Sequence, residues 1–322
     1  MPVITEREKV QEVLDNAVNK RVSLGIFGAA SHWNAEAAIL AADRFAKRHN
    51  IRNIPVVVSM TYTYGHMPQA ERITRSGDPA SGFVSVMEHV RILCDGKDAP
   101  YSNVVVLPHL DHADPVRDKW ALTEGLPYLA SVMFDAQKYP YRDNIRMTRE
   151  YVERYGKDVL IEGIMDTLSV HGGGTAVRNS DDYVERAVGY VKSTNVDFLV
   201  ADLGTEQQAT ATGESRYLKQ RARELTDSLG RPMLVLHGTS SLDENQIRGL
   251  FEDGVARVNM WTRIAWEAGR YAAERLMGRM DAVRRGDFEA TESRQYIHDN
   301  IDRAAEIMEH MMELFGYSNL AK

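Results

Sequence analysis

Eight short apolar runs recur along this chain, each followed by a stretch of helical period, and that alternation limits the fold more than any other feature. The runs are Val22–Phe27, Ile54–Ser59, 103–110, Ser131–Asp135, Asp158–Gly163, Asp197–Asp202, Pro232–Gly238 and Ala256–Met260. After an opening helix at 5–20, helical patterns fall at 34–48, 82–97, 115–125, 141–155, 181–192, 216–229 and 243–253. Asn34 and Asp181 read as N-caps. Near-continuous runs of β-branched residues are what a parallel strand buried on both faces requires. Eight strand–helix units without a linker predict one (β/α)8 TIM barrel over about 20–265, within a single domain 1–322. An open doubly wound sheet shares the alternation and stands as the alternative. Extra C-terminal helices fill 266–322, with Ile301, Ala304, Ile307 and Met308 on an apolar face. That exceeds one closing helix, so part of the tail is expected to pack on another subunit of a homodimer or homotetramer.

Composition excludes several classes. With 43% apolar residues in 322, the chain can bury a large core. A net charge of −7, without a basic cluster, argues against a nucleic-acid partner. No run of about 18 apolar residues reads as a membrane span, and no signal-peptide pattern opens the chain, so a cytoplasmic location is expected. The single cysteine, Cys94, excludes an internal disulfide framework. It sits in the amphipathic stretch Val86–Asp95 and reads as helix packing rather than as a nucleophile. There is no G-x-G-x-x-G fingerprint, P-loop or G-x-S-x-G elbow. The strand ends also lack a lysine for Schiff-base chemistry, Lys138 lying a few residues past the fourth strand.

Polar residues instead gather just past the strands, where α/β barrels keep their chemistry. The third run, Val104–Leu107, stops in Pro108-His109-Leu110-Asp111-His112-Ala113-Asp114. Other ends carry Ser31 and His32, Ser59 and His66, Asp135, then Glu162, Asp166 and His171. Thr205, Glu206 and Gln207 follow the sixth strand, His237, Thr239 and Ser240 the seventh, and Asn259 lies in the eighth. Any one histidine here has an ordinary structural explanation. Histidines after strands three and seven together converge across a barrel mouth, as ligands of a first-row metal would. The polar and aromatic loop Met60–His66 suits gripping a substrate. His171-Gly-Gly-Gly174 reads either as an anion-binding nest or as the hinge of a lid.

Five segments together resemble the class II, metal-dependent fructose-bisphosphate (ketose-bisphosphate) aldolase family. They are Leu107–His112, Ser131–Asp135, Val196-Asp197 through Gly204-Thr205, Leu236-His237-Gly238 and Gly254–Asn259, in order and in spacing over essentially the whole chain. The resemblance implies a TIM barrel, a divalent metal with zinc as the expected ion, and a small-molecule sugar substrate. The implied reaction is reversible aldol cleavage of a ketose phosphate or related sugar derivative through a metal-stabilised enediolate. Breaking the carbon–carbon bond leaves a carbanion beside a carbonyl, which a Lewis acid stabilises. A carboxylate must also exchange a proton with the hydroxyl of the leaving aldehyde. By resemblance Asp111 is that carboxylate, Asn259 holds the enediolate, His112 and His237 bind metal, and Asp135 supports the mouth.

The departures from the family pattern are specific. Gln207 stands where a third ligating histidine is expected, with Glu206 beside it as the chemically better ligand. A fourth, carboxylate ligand is replaced by Ile164, unless Asp166 or His171 substitutes. At the anion corner Gly238, Thr239, Ser240, Thr262 and Arg263 are expected to bind a phosphate, with carboxylate or sulfonate as competitors. The Trp261 indole narrows that corner, while Ser31, His32 and Ser59 are expected at the substrate's other end. Gln207 and Ile164 also motivate a non-catalytic sugar-phosphate-binding homologue or partner subunit. An isomerase or epimerase using the same enediolate chemistry is the third reading.

Overall fold

The computed structural model describes residues 2–168, 182–207, 217–292 and 294–321. Its strands are β1 (Leu24–Gly28), β2 (Ile54–Thr61), β3 (Val104–Ala113), β4 (Ser131–Phe134), β5 (Leu160–Ile164), β6 (Phe198–Val200), β7 (Leu234–Leu236) and β8 (Val255–Met260). All eight lie within or overlap the expected runs. They form one closed barrel in sequence order, and parallel pairing of β1 with β8, from Leu24 with Arg257 to Phe27 with Met260, seals it. The open sheet is thereby rejected. Every strand residue is buried, as β-branched runs covered on both faces must be. Helices Arg7–Asn19, His32–His49, Pro79–Cys94, Tyr141–Tyr155, Tyr183–Thr194 and Lys219–Leu229 surround it.

Local chemistry moves several expected boundaries. The second helix is capped not by Asn34 but by Ser31, whose hydroxyl accepts from the Asn34 N–H at 3.1 Å, leaving Asn34 buried in the first turn. Asp182 precedes Tyr183–Thr194, and Asp181 lies outside the described residues. The helix expected at 115–125 is a succession of turns that ends in a single 3-10 turn at Leu126–Tyr128. Asp118 explains part of this. Its buried carboxylate accepts from the Asp114 N–H at 2.8 Å and from the Thr63 hydroxyl, tying the segment to neighbouring loops rather than to a helical axis. The helix expected at 243–253 is also broken. A capping box at Asp243 and Gln246 starts Glu244–Ile247, then Gly249 takes φ +80°, and only the 3-10 turn Phe251–Asp253 follows.

The tail is helical, as expected, in Thr262–Gly278, Met280–Arg284, Phe288–Thr291 and Arg294–Leu314. The last of these lies against Thr262–Gly278 and His32–His49, so Ile301, Ala304, Ile307 and Met308 are buried within the chain itself. Beyond it, the buried Tyr317 hydroxyl accepts the Gly25 N–H at 3.0 Å and ties the tail to β1.

Candidate active site

β3 carries two neighbouring side chains to the barrel mouth, which a regular strand cannot do because successive residues face opposite sides. It stays in register with β2 up to the pairing of Thr61 with Asp111. Against β4 it slips: Leu110 pairs with Val132 and Ala113 with Phe134, so three steps on β3 face two on β4. The extra residue is a β-bulge, and within it His112 takes the left-handed φ of +48°. The bulge turns His112 toward the mouth beside Asp111. From the opposite wall, β7 delivers His237 and β8 delivers Asn259.

Asp111, His112 and His237 are all buried and place a donor atom each within 4.8 Å of one another. Ligand atoms each about 2.1 Å from one ion lie within roughly 4 Å of each other, so the trio sits close to a coordinating spacing. His112 donates from Nδ1 to Asp135 Oδ2 at 2.8 Å, which leaves the lone pair on Nε2. His237 Nε2 and Asp111 Oδ1 are buried without a hydrogen-bond partner. An unpartnered carboxylate oxygen, an unpartnered ring nitrogen and one oriented imidazole make a donor set that fits a divalent first-row ion. Asn259 Nδ2 donates to the other oxygen of Asp111 at 3.0 Å and fixes the carboxylate plane.

Charge follows from these contacts. Burial works against the Asp111 carboxylate, but His112, His237 and His109, with the Asn259 hydrogen bond, hold it below the usual range. Burial also disfavours a charged His112, yet Asp111 and Asp135 outweigh it and raise its pKa. Burial pushes His237 down to about 4, so this ring is neutral near pH 7. Beneath the mouth lies a second polar layer. Arg257 pairs with Glu162 and donates to Ser131 Oγ at 3.2 Å, and His109 Nδ1 meets the same hydroxyl at 2.8 Å. Burial pushes the Glu162 carboxyl up to about 7, with Arg257 pulling it back.

A cavity of ≈ 80 Å³ opens beside the trio and is lined by Asn259, Gly238, Thr239, Ser240, Thr262 and Arg263, with Gln207 at its edge. The loops around it interlock. Gly238 has φ +71°, and a Cβ there would lie 2.7 Å from the Glu206 backbone, so only glycine fits. Thr239 Oγ1 donates to the Asn259 carbonyl at 2.8 Å, and Thr205 Oγ1 to the His237 carbonyl at 2.6 Å. Trp261 lines the corner as expected, seated where a Cβ on Gly28 would come within 3.0 Å of the indole. A second cavity, of ≈ 310 Å³, continues past Tyr64, His112 and Gln207 toward Arg117 and Lys138.

Four expected site residues lie elsewhere. Ser31 is the helix cap, and His32 Nε2 meets Ser85 Oγ at 2.7 Å, away from both cavities. Ser59 is buried in β2 with its hydroxyl unpartnered, and Glu206 lines neither cavity. Gln207, not Glu206, is the residue presented: its Nε2 lies 3.3 Å from His112 Nε2. Asp166 is engaged by Arg186 at 3.0 Å, and His171 lies outside the described residues. Tyr64 was not foreseen individually. Its ring stacks on His112 at 4.3 Å between centroids and 7° between planes, and its hydroxyl donates to Gln207 Oε1 at 3.3 Å. The only sequence signal for it was the aromatic loop after the second strand.

Comparison with known proteins shows the family. The model of a family described as fructose-bisphosphate aldolase class-II matches residues 8–320. A protein of Shouchella clausii named 6-phospho-5-dehydro-2-deoxy-D-gluconate aldolase is 33% identical over 193 residues, which are 59% of this chain and 63% of that protein. One of the same name from Bacillus licheniformis is 29% identical over 250 residues, 76% of this chain and 79% of that protein. The crystal structure of a fructose-bisphosphate aldolase from Campylobacter jejuni superposes with a TM-score of 0.73 at 18% identity, covering 97% of this chain and 95% of that one. At that identity the superposition speaks for the barrel alone.

Proposed function

The chain belongs to the class-II fructose-bisphosphate aldolase family, and on that premise we propose that it is a metal-dependent carbon–carbon lyase that reversibly cleaves a ketose phosphate. The observation that carries this reading is the buried trio of Asp111, His112 and His237 beside a cavity edged by hydroxyls and Arg263. His112 and His237 would hold a divalent cation, zinc being the expected ion. When bound, that cation supplies Lewis-acid polarisation of the substrate carbonyl.

The chain's own residues do the rest. Asp111, ionised and planar-locked by Asn259, takes the proton from the hydroxyl of the departing aldehyde and returns it in condensation. Asn259 also faces the cavity and offers an amide to the substrate oxygen next to the breaking bond. Thr239, Ser240, Thr262 and Arg263 bind the phosphate, with Arg263 oriented by Glu267 at 2.8 Å. Trp261 closes the corner on water. Exposed Trp266, Met277 and Phe288 on the tail support the homo-oligomer expected from its length, which light scattering tests.

The names of the relatives supply the substrates to try: fructose bisphosphate and 6-phospho-5-dehydro-2-deoxy-D-gluconate. Purified protein is incubated with each, with chelator and then with Zn2+, Co2+ or Mn2+ restored, and released triose phosphate is measured. Cleavage lost in chelator and regained with metal supports the reading. Turnover indifferent to chelator, or isomerised sugar without fragments, overturns it.

A further inference from the structure

Between the two cavities stands a contact for which the proposed reaction has no use. Gln207 directs one end of its amide to His112 and the other to Tyr64, each at 3.3 Å. In the neutral ring His112 keeps its hydrogen on Nδ1 for Asp135, so its Nε2 accepts, and the amide NH2 donates to it. The Tyr64 hydroxyl in turn donates to the amide oxygen. The three groups satisfy one another at these contacts, but the arrangement is incompatible with a cation. An ion bound by His112 Nε2 takes up the lone pair that the NH2 group uses, and a positively polarised NH2 then faces a positive charge.

Half a turn of the amide removes the conflict. The NH2 and C=O ends are nearly the same size, so they exchange places without repacking. The carbonyl oxygen then faces the ion, and the NH2 faces the Tyr64 hydroxyl, which can accept as readily as it donates. Tyr64 is therefore a partner in both orientations, and its ring is pinned by the stack on His112. The donor count needs this residue. With Asp111 reserved for the proton, His112 and His237 are two protein ligands, whereas catalytic first-row sites commonly hold three and leave one position open. Gln207 brings its amide within 3.3 Å of His112 Nε2, and the other end of that amide is a neutral oxygen.

We infer that Gln207 is the third metal ligand, through its amide oxygen, and that the Tyr64 hydroxyl is the positioning group that holds the amide that way round. The inference rests on the metal-dependent reading above and goes beyond it in naming the ligand and its orienting partner. It also sets a preference. Two imidazoles and an amide oxygen are a harder set than three imidazoles, which moves selectivity from Zn2+ toward Mn2+.

The test is metal binding by the full-length protein, stripped and titrated with Co2+, Zn2+ and Mn2+ against a chelating indicator, with the visible absorption of Co2+ reporting coordination. Gln207→Leu and Tyr64→Phe should each weaken Co2+ binding by about 10–100-fold and change its spectrum. The double variant should be no weaker than Gln207→Leu alone, because the hydroxyl acts through the amide. Gln207→Glu, which keeps an oxygen in place, should bind at least as tightly as the parent and shows that the fold tolerates change there. Gln207→His should raise the Zn2+ to Mn2+ affinity ratio by about tenfold or more. If Gln207→Leu binds Co2+ with unchanged affinity and spectrum, the inference is overturned while the proposed function stands. If the parent protein takes up none of the three ions, the proposed function falls and this inference with it.

Discussion

His112 hands its Nδ1 hydrogen to Asp135 across 2.8 Å, and Asp135 is itself held by Gln137, through the backbone N–H at 3.2 Å and the side-chain amide at 2.8 Å. This chain from loop to carboxylate to imidazole fixes both the ring's tautomer and its direction. Asp135→Asn removes the negative charge and offers an NH2 donor, which lets the imidazole place its hydrogen on the wrong nitrogen. Metal affinity should fall by about 10–100-fold, with activity partly restored by excess metal. Equilibrium titration of the stripped protein measures this, and an unchanged affinity would reduce Asp135 to a structural support.

Asp111 is assigned a different task from its neighbour. Asp111→Asn keeps the shape, and the Asn259 contact can reform, but no proton acceptor remains. Turnover should drop by about 10²–10⁴-fold, while bound metal per subunit stays at the parental level. Loss of the metal along with the activity would make Asp111 a ligand instead, and metal analysis of the purified variant decides between the two.

The polar layer beneath the mouth offers a stability test independent of any substrate. Arg257 and Glu162 are fully buried and paired, and Ser131 takes a second bond from the guanidinium. At about pH 8.5, where Glu162 is ionised, Glu162→Gln leaves that guanidinium without its countercharge, so unfolding free energy should fall by about 3–5 kcal/mol. The double variant Glu162→Leu with Arg257→Met removes both desolvated charges and should recover most of the loss. Denaturant unfolding of the three proteins reads it out. A double variant as unstable as the single one would show that the layer matters through packing rather than through paired charge.

The barrel was legible because its strands must be apolar on both faces, so each appears as an unbroken run, and the fifth helix came out at 141–155 as expected. What failed were places where a side chain overrides a periodic pattern. The 115–125 segment has helical period, but Asp118 uses its carboxylate on Asp114 and Thr63. The same limit applies to the site. His112 and His237 stood out by position, while the bulge that lets His112 join Asp111 involves a register slip against β4, which no local pattern encodes. Ser31 and His32 were expected at the substrate for lying after a strand, yet a serine before a helix is equally a cap, and here it caps. Tyr64 acts through a stack formed between two loops, which only the fold brings together.

Two buried histidines make acid stability of the stripped protein a further test, with a sign that can be worked out. His237 titrates near 4 in the fold and His109 well below its ordinary 6.5, both because burial disfavours the charged ring. Above 6.5 these rings are neutral folded or unfolded, and the stability is fully present. As pH falls below 6.5 the unfolded chain takes up protons that the folded one refuses, so stability is lost, at up to about 1.4 kcal/mol per pH unit for each ring. Glu162 runs the other way: raised from 4.5 to about 7, it binds its proton more readily in the fold, so between those values falling pH favours the native state. Between pH 4.5 and 6.5 the three groups should leave a net uptake of about one proton on unfolding. His109→Gln keeps a hydrogen-bonding side chain beside Ser131 but removes one titrating ring, so the loss of stability with falling pH in that window should become shallower, by up to about 1.4 kcal/mol per pH unit. Denaturant melts of parent and variant at half-unit steps measure the two slopes. Equal slopes would mean that His109 accepts its proton in the folded barrel, and that the polar layer is more open to charge than its burial implies.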